Sequence, residues 1–226
     1  MEFVRKVIVW IFSIFVVLGI SPRTVPATVK LEEIDPENAV VSVGDFTLGY
    51  SNGSFSLAFS DVTVFSDATS EFIAEDRLIS SAKYDSFSIE TNDVSDARGN
   101  GKAVTVTLTD ETLPTLKQHF TFYDGERYML TQLEIIGRNG EAASNYIAPV
   151  VVKDKKLQNG NPRWTNFLEV PFDNDNWATF ETKYLFESGL SHEVGAFFTP
   201  DNEDGFIIGS VTEMIFCSLL VELRKK

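Results

Sequence analysis

The sequence predicts an all-β protein, an antiparallel β-sandwich preceded by a signal helix. Short runs of alternating apolar and polar residues recur through the chain, and they are separated by Gly, Asn, Asp and Ser clusters. No stretch after the first thirty or so residues keeps an amphipathic 3.6-residue period over three turns, so the helices a βαβ sheet needs are missing.

The chain opens on Arg5 and Lys6, followed by an apolar run from Val7 to Ile20 that only Ser13 and Gly19 relieve. About fourteen residues is too short for a comfortable bilayer span, which takes roughly 20. Ser21, Pro22 and Arg23 then break the helix, and Val25-Pro26-Ala27 places small or β-branched residues where a signal peptidase reads. Residues 1–27 are therefore expected to be a signal peptide and the protein to be exported, periplasmic or extracellular, with no stable membrane span after cleavage. An uncleaved N-terminal anchor is the alternative. Loss of Arg5, Lys6 and Arg23 against Glu2 would leave the rest more acidic than the −14 of the whole chain.

Residues 28–212 are expected to form the sandwich. Its strands are expected at Ala39–Val43, Phe46–Tyr50, Ser54–Ser60, Val62–Phe65, Tyr84–Thr91, Ala103–Thr109, Leu116–Tyr123, Arg127–Ile136, Tyr146–Val152, Thr179–Phe186, Glu193–Phe198 and Gly205–Val211. In 101–109 valine and leucine alternate with threonine, which gives one core face and one hydroxyl-bearing face. Asn52-Gly53, Asp124-Gly125, Asn139-Gly140 and Asp204-Gly205 supply residues that tolerate the positive φ of tight hairpin turns. Asn52-Gly53-Ser54 also fits a glycosylation sequon, although a simple turn accounts for it. Lys153 to Trp177 is interrupted too often for a long strand and reads as an excursion over the surface, one that carries Trp164, Phe167, Phe172 and Trp177.

Charge and composition exclude several functions. With 33 acidic against 19 basic residues the chain is a poor partner for nucleic acid, whose phosphates demand a lysine and arginine excess. A single cysteine, Cys217, rules out an intrachain disulfide framework and thiolate zinc sites. No Ser-His-Asp or Cys-His arrangement, Gly-rich phosphate loop or zinc spacing is present, so no catalytic residue, metal ligand or cofactor is assigned. Of the two histidines, His119 lies within a strand pattern and His192 at a strand start.

The most suggestive group is Asp173, Asn174, Asp175, Asn176 and Trp177. Carboxylates and carboxamides accept and donate to sugar hydroxyls while an indole face covers the C–H side of a pyranose. The plainer reading is a polar turn with a tryptophan packed on the sandwich edge. Calcium, held by Asp173 and Asp175 or by Asp201, Glu203 and Asp204, is a further alternative, but neither cluster has the full loop pattern and surface turns explain both.

The runs Phe120 to Ile135, Val170 to Trp177, and Glu193-Val194-Gly195-Ala196-Phe197 to Gly205-Phe206-Ile207-Ile208-Gly209-Ser210-Val211-Thr212 resemble the N-terminal β-supersandwich of secreted bacterial proteins related to alpha-galactosidases and raffinose synthases. The likeness covers about Leu31 to Thr212 and implies a supersandwich of the galactose-mutarotase-like type. In that family the domain precedes a (β/α)₈ barrel that holds the catalytic carboxylates. Only fourteen residues follow Thr212 and a barrel takes roughly 250, so the resemblance implies a noncatalytic, carbohydrate-associated fragment of a glycoside hydrolase. Its implied partners are a galactoside-type carbohydrate and the missing barrel, with 173–177 at the sugar or the domain interface. Residues 213–226 depart from the rest in character and are expected to be an atypical tail, either a frameshifted end or a true terminal helix or strand. Two other functions stay open: a self-contained mutarotase-like enzyme, which requires His119 or His192 to share a site with a carboxylate, and a cell-surface structural or adhesion module.

Overall fold

The alternation written in the sequence becomes a ladder of antiparallel strands. The computed structural model describes residues 12–17, 29–35, 38–60, 62–138, 142–153, 165–171, 179–184, 189–192, 194–199, 205–210 and 218–221. In chain order the strands are β1 (Phe12–Val17), β2 (Val29–Asp35), β3 (Asn38–Val43), β4 (Phe46–Ser51), β5 (Ser54–Phe59), β6 (Val62–Ala74), β7 (Arg77–Ser80), β8 (Ser86–Asp96) and β9 (Gly99–Thr109). They continue with β10 (Thr115–Tyr123), β11 (Tyr128–Ile136), β12 (Ile147–Val151), β13 (Asn166–Glu169), β14 (Glu181–Tyr184), β15 (Gly189–His192), β16 (Val194–Phe198), β17 (Gly205–Ser210) and β18 (Ser218–Val221). One 3₁₀ turn, Ser81–Lys83, follows β7.

The larger sheet has nine strands in the order β14-β13-β16-β17-β1-β11-β10-β9-β8. The second runs β12-β6-β5-β4-β3-β2, with β7 also on β6, and β15 and β18 pair separately. All the pairings are antiparallel hairpins or returns, as expected of a sandwich.

One face of each sheet supplies the core. In β10, Leu116, Gln118, Phe120 and Phe122 point inward and are buried, while Lys117, His119 and Thr121 between them are only partly covered. From the smaller sheet Val41, Phe46, Leu48, Phe55, Phe65 and Phe72 meet them. The rings of Phe55 and Phe120 lie 5.2 Å apart at 62°, and those of Phe46 and Phe122 5.3 Å apart, so aromatic contacts join the two sheets.

A buried polar chain crosses the same core. Tyr50 Oη donates to Gln118 Oε1 at 2.8 Å, Gln118 Nε2 donates to Ser70 Oγ at 2.7 Å, and Ser70 Oγ donates to the Pro149 carbonyl at 2.7 Å. The Tyr50, Gln118 and Ser70 side chains are thereby paired, and the chain ties β4, β6 and β10 to one another. Burial pushes the Tyr50 hydroxyl far above the ordinary tyrosine value, so it stays a donor.

Several expectations from sequence need correction. Lys153 to Trp177 is not wholly a surface excursion, because Asn166–Glu169 is a strand of the large sheet between β14 and β16, with Phe167 buried. Four residues between breakers are too few to show a period. β6 runs well past Phe65 to Ala74; Ala68 to Phe72 are all buried, so the inside/outside alternation that marks a strand is lost. β7 pairs with β6 through Glu75-Asp76, both with positive φ although neither is glycine. Of the apolar run expected as a signal helix, Phe12–Val17 is paired as a strand, and the rest lies outside the described residues.

Candidate functional site

The outward face of the large sheet carries a polar row across four strands. Register places Glu90 opposite Thr105, Thr105 opposite His119, and His119 opposite Gln132. Directly opposed residues share a face, so these four side chains stand on the side away from the core. The neighbouring row is Ser88, Thr107, Lys117 and Glu134. The hydroxyl-bearing face expected of 101–109 is thus the face that carries this site.

Within the row His119 is the hub. Its Nδ1 lies 3.0 Å from Thr105 Oγ1 and its Nε2 3.4 Å from Glu134 Oε2, and both the imidazole and the carboxylate are mostly covered, with about a fifth of each side chain exposed. Burial holds the His119 pKa below the ordinary histidine value, and this outweighs the opposing pull of Glu134; Lys117 adds to the lowering. The ring is therefore neutral at neutral pH, donating from Nε2 to Glu134 and accepting from Thr105 at Nδ1. A neutral imidazole of this tautomer can take up a further proton only at Nδ1, and the Glu134 carboxylate beside Nε2 would hold the resulting imidazolium.

Gln132 completes the group. The residue is only 6% exposed, yet its Nε2 has no hydrogen-bond partner among the described residues. A buried amide donor left unpaired costs about 1–3 kcal/mol. Thr131 Oγ1, on the core side of the same strand, is also unpaired.

Because the folded-state pKa of His119 is depressed, the neutral ring contributes stability above the unfolded value of about 6.5, and that contribution is lost as pH falls through the lower folded value. Urea titrations between pH 7.5 and 5 are expected to show the wild type losing more stability on acidification than His119→Gln. Parallel losses in the two proteins would contradict the assignment.

The residues singled out from sequence fare differently. Asp173, Asn174, Asp175, Asn176 and Trp177 lie outside the described residues, as do Asp201, Glu203 and Asp204. Only the stem of the first loop is in view. Val170 N donates to Ser191 Oγ at 2.7 Å, and His192 N donates to the Val170 carbonyl at 3.0 Å, which ties the end of β13 to β15. Glu169 Oε2 accepts from Lys183 Nζ at 2.7 Å and from Leu190 N at 3.3 Å. β13 stands five strand positions from β10 in the sheet order, roughly 24 Å at the usual strand spacing. The loop stem and the His119 row are therefore separate places on one sheet. His192 stands in β15 opposite Ser218 of β18, and His119 meets the Glu134 carboxylate.

Near the loop stem the surface turns apolar. Phe180 is 61% exposed, and Tyr184, Leu190 and Val194, from β14, β15 and β16, are exposed with it. Exposed apolar side chains in such number suit contact with another folded unit. Among the described residues no group of three or more His, Cys, Asp or Glu could hold a metal ion, and no helix is long and apolar enough to cross a membrane.

Sequence reasoning missed Glu134, Thr105 and Gln132. Thr105 and Glu134 each lie 14 or 15 residues from His119 in the chain, and only pairing register brings them beside it. No known protein family, curated protein or solved structure matches the chain.

Proposed function

We propose that the protein is an exported, noncatalytic, carbohydrate-associated β-sandwich, comparable to the leading domain of an alpha-galactosidase-like glycoside hydrolase. Sugar hydroxyls are received on the outer face of the large sheet. The observation that carries this reading is the unpaired, buried Gln132 amide beside the His119–Glu134 pair. A sugar hydroxyl both donates and accepts, so one can take the free N–H of Gln132 while a neighbour donates to Glu134. Asp173, Asp175 and Trp177 supply the second contact, at the sugar or at a catalytic partner domain. The exposed Phe180, Tyr184, Leu190 and Val194 favour docking of such a domain near the same end of the sheet.

Calorimetry with galactosides tests the proposal. Binding is expected, and Gln132→Leu is expected to weaken it about tenfold, the worth of one well-placed hydrogen bond at about 1.4 kcal/mol. Wild-type affinity in that variant would remove the His119 face from the account, and unchanged affinity in Trp177→Ala would remove the loop.

A second reading is favoured by one contact. His119 Nε2 stands 3.4 Å from Glu134 Oε2, which meets the condition for a mutarotase-like enzyme with an acid and a base at one site. Proton NMR of freshly dissolved α-galactose decides between them: accelerated interconversion of the anomers that His119→Gln abolishes would make the protein an enzyme.

A further inference from the structure

β8 is the last strand of the large sheet, eleven residues long, and it pairs with β9 from Ser86 to Asp96 without a break in register. Among the described residues no strand takes up its other side. An edge of this kind presents a row of unpaired N–H and C=O groups, and folded proteins blunt such edges with short strands, Lys, Pro or bulges. The remaining edges of the two main sheets are blunted in those ways. β14 and β7 have four residues each, the first with Lys183 and the second with Arg77. β12 has five, with Pro149 and a shift of register, and β2 carries Lys30 and a shift between Glu32 and Asp35. β8 contains no Lys, Arg or Pro and no bulge.

We propose that β8 is a self-association surface, through which two copies of this chain join edge to edge as antiparallel strands about a two-fold axis at Ser88. The proposal goes beyond the carbohydrate reading and does not rest on it.

Self-complementarity chooses the occupant and the register. Directly opposed residues share a face, and an axis at Ser88 sets Phe87 opposite Ile89 and Ser86 opposite Glu90, each twice. Phe87 and Ile89 are half-buried at the margin of the core, with the Phe87 ring 4.9 Å from that of Tyr50. In the pair each covers the open flank of the other. Glu90 meets a hydroxyl, and Asp93 and Asp96 lie beyond the opposed stretch of Ser86 to Glu90. Other registers fit worse. An axis at Ile89 leaves Phe87 against Thr91, one at Glu90 opposes two carboxylates, and one at Thr91 sets Ile89 against Asp93.

Charge speaks against a basic partner strand at the same edge. Asp93 is already bonded to Lys102 Nζ, and Asp96 accepts from Tyr123 Oη at 2.7 Å and from Arg98 N at 2.8 Å. Of the three carboxylates on β8, that leaves Glu90 to attract a cation. A second copy needs no such attraction, since apolar contact and backbone pairing hold it. The pairing also sets the polar rows of the two copies on one continuous face.

Sedimentation equilibrium of the full chain across the micromolar range tests this, with hydrogen exchange locating the contact. A contact this short belongs among weak interfaces, so a micromolar dimer is expected. It should tighten as salt screens the −14 that each copy carries, and the amides of 86–90 should gain protection as concentration rises. Two substitutions that add the same charge at exposed positions should act in opposite directions. Ser88→Lys opposes two ammonium groups at the axis and should weaken the dimer about fivefold. Ser86→Lys sets an ammonium opposite Glu90 of the second copy, twice, and should tighten it about threefold or more. A monomer throughout that range, equal effects of the two substitutions, or a dimer without protection at 86–90 overturns the proposal. Protection of β8 by an alternating Lys-Thr peptide, in a protein that stays monomeric, would assign the edge to a basic partner strand instead. None of these failures touches the galactoside calorimetry.

Discussion

Replacing Phe120 by alanine is expected to lower the unfolding free energy by about 3–5 kcal/mol. The ring is fully buried on the inward face of β10 and packs edge-on against Phe55, whose own ring stands 5.7 Å from Phe65. Truncation loses the transfer free energy of the ring, about 1.5–3 kcal/mol, and leaves a cavity between two sheets whose hydrogen-bonded backbones cannot collapse into it. For a domain of this size each kcal/mol moves the melting temperature by about 2–4 °C, so a drop near 10 °C should accompany the shift in urea midpoint. Phe180→Ala is the control. That ring is 61% exposed, and its loss should stay within about 0.5 kcal/mol. A Phe120→Ala cost below about 1 kcal/mol would mean that the two sheets do not meet at this ring.

A comparable loss, about 3 kcal/mol or more, is expected for Gly53→Ala, for a different reason. Asn52 and Gly53 form the two-residue turn between β4 and β5, with φ of 45° and 75°, the left-handed pair a tight hairpin demands. Glycine is required at the second position on two grounds. A side chain at that φ is strained, and a Cβ there would fall on the Ser81 carbonyl and within 2.9 Å of Ala82 Cα. Ser81 cannot yield, because its hydroxyl donates to the Gly53 carbonyl and accepts from Ser70 N at 2.9 Å. The turn is thus clamped to the 3₁₀ segment after β7, and through Ser70 to the polar chain in the core. Gly49→Ala, in the same hairpin, should be neutral or slightly stabilising, since its Cβ would meet nothing nearer than Ser56 Cβ at 4.0 Å. Equal effects at the two glycines, measured by urea unfolding, would refute the clamp.

These cases show where legibility stops. The Asn52-Gly53 turn and the strands on either side could be read from residue order, because period-two alternation and positive-φ residues are local properties. The Gly44-Asp45 turn between β3 and β4, with Gly44 at φ 59°, escaped notice although the same chemistry makes it. β6 beyond Phe65 escaped for the opposite reason, since burial on both faces erases the alternation. For the site, residue order offered a run of carboxylates, amides and an indole at 173–177, whereas the described geometry gathers Thr105, His119, Gln132 and Glu134 from three strands. Residue order places His119 only within a strand pattern. Which of 33 acidic side chains it would meet depended on the offset between β10 and β11, which no local pattern states.

Composition and spacing alone determined that this chain is all-β, built from antiparallel hairpins, and acidic. Each of those follows from how individual residues bias their own backbone or carry their own charge. Tertiary structure decided the rest: that Asn166–Glu169 joins the large sheet, that an apolar run near the N-terminus can stand between β11 and β17, and that a histidine, a glutamate and an unpaired amide share one face. Those are matters of register and strand order. They are set by which faces bury together across the whole core, a sum over distant residues that no short window of sequence contains.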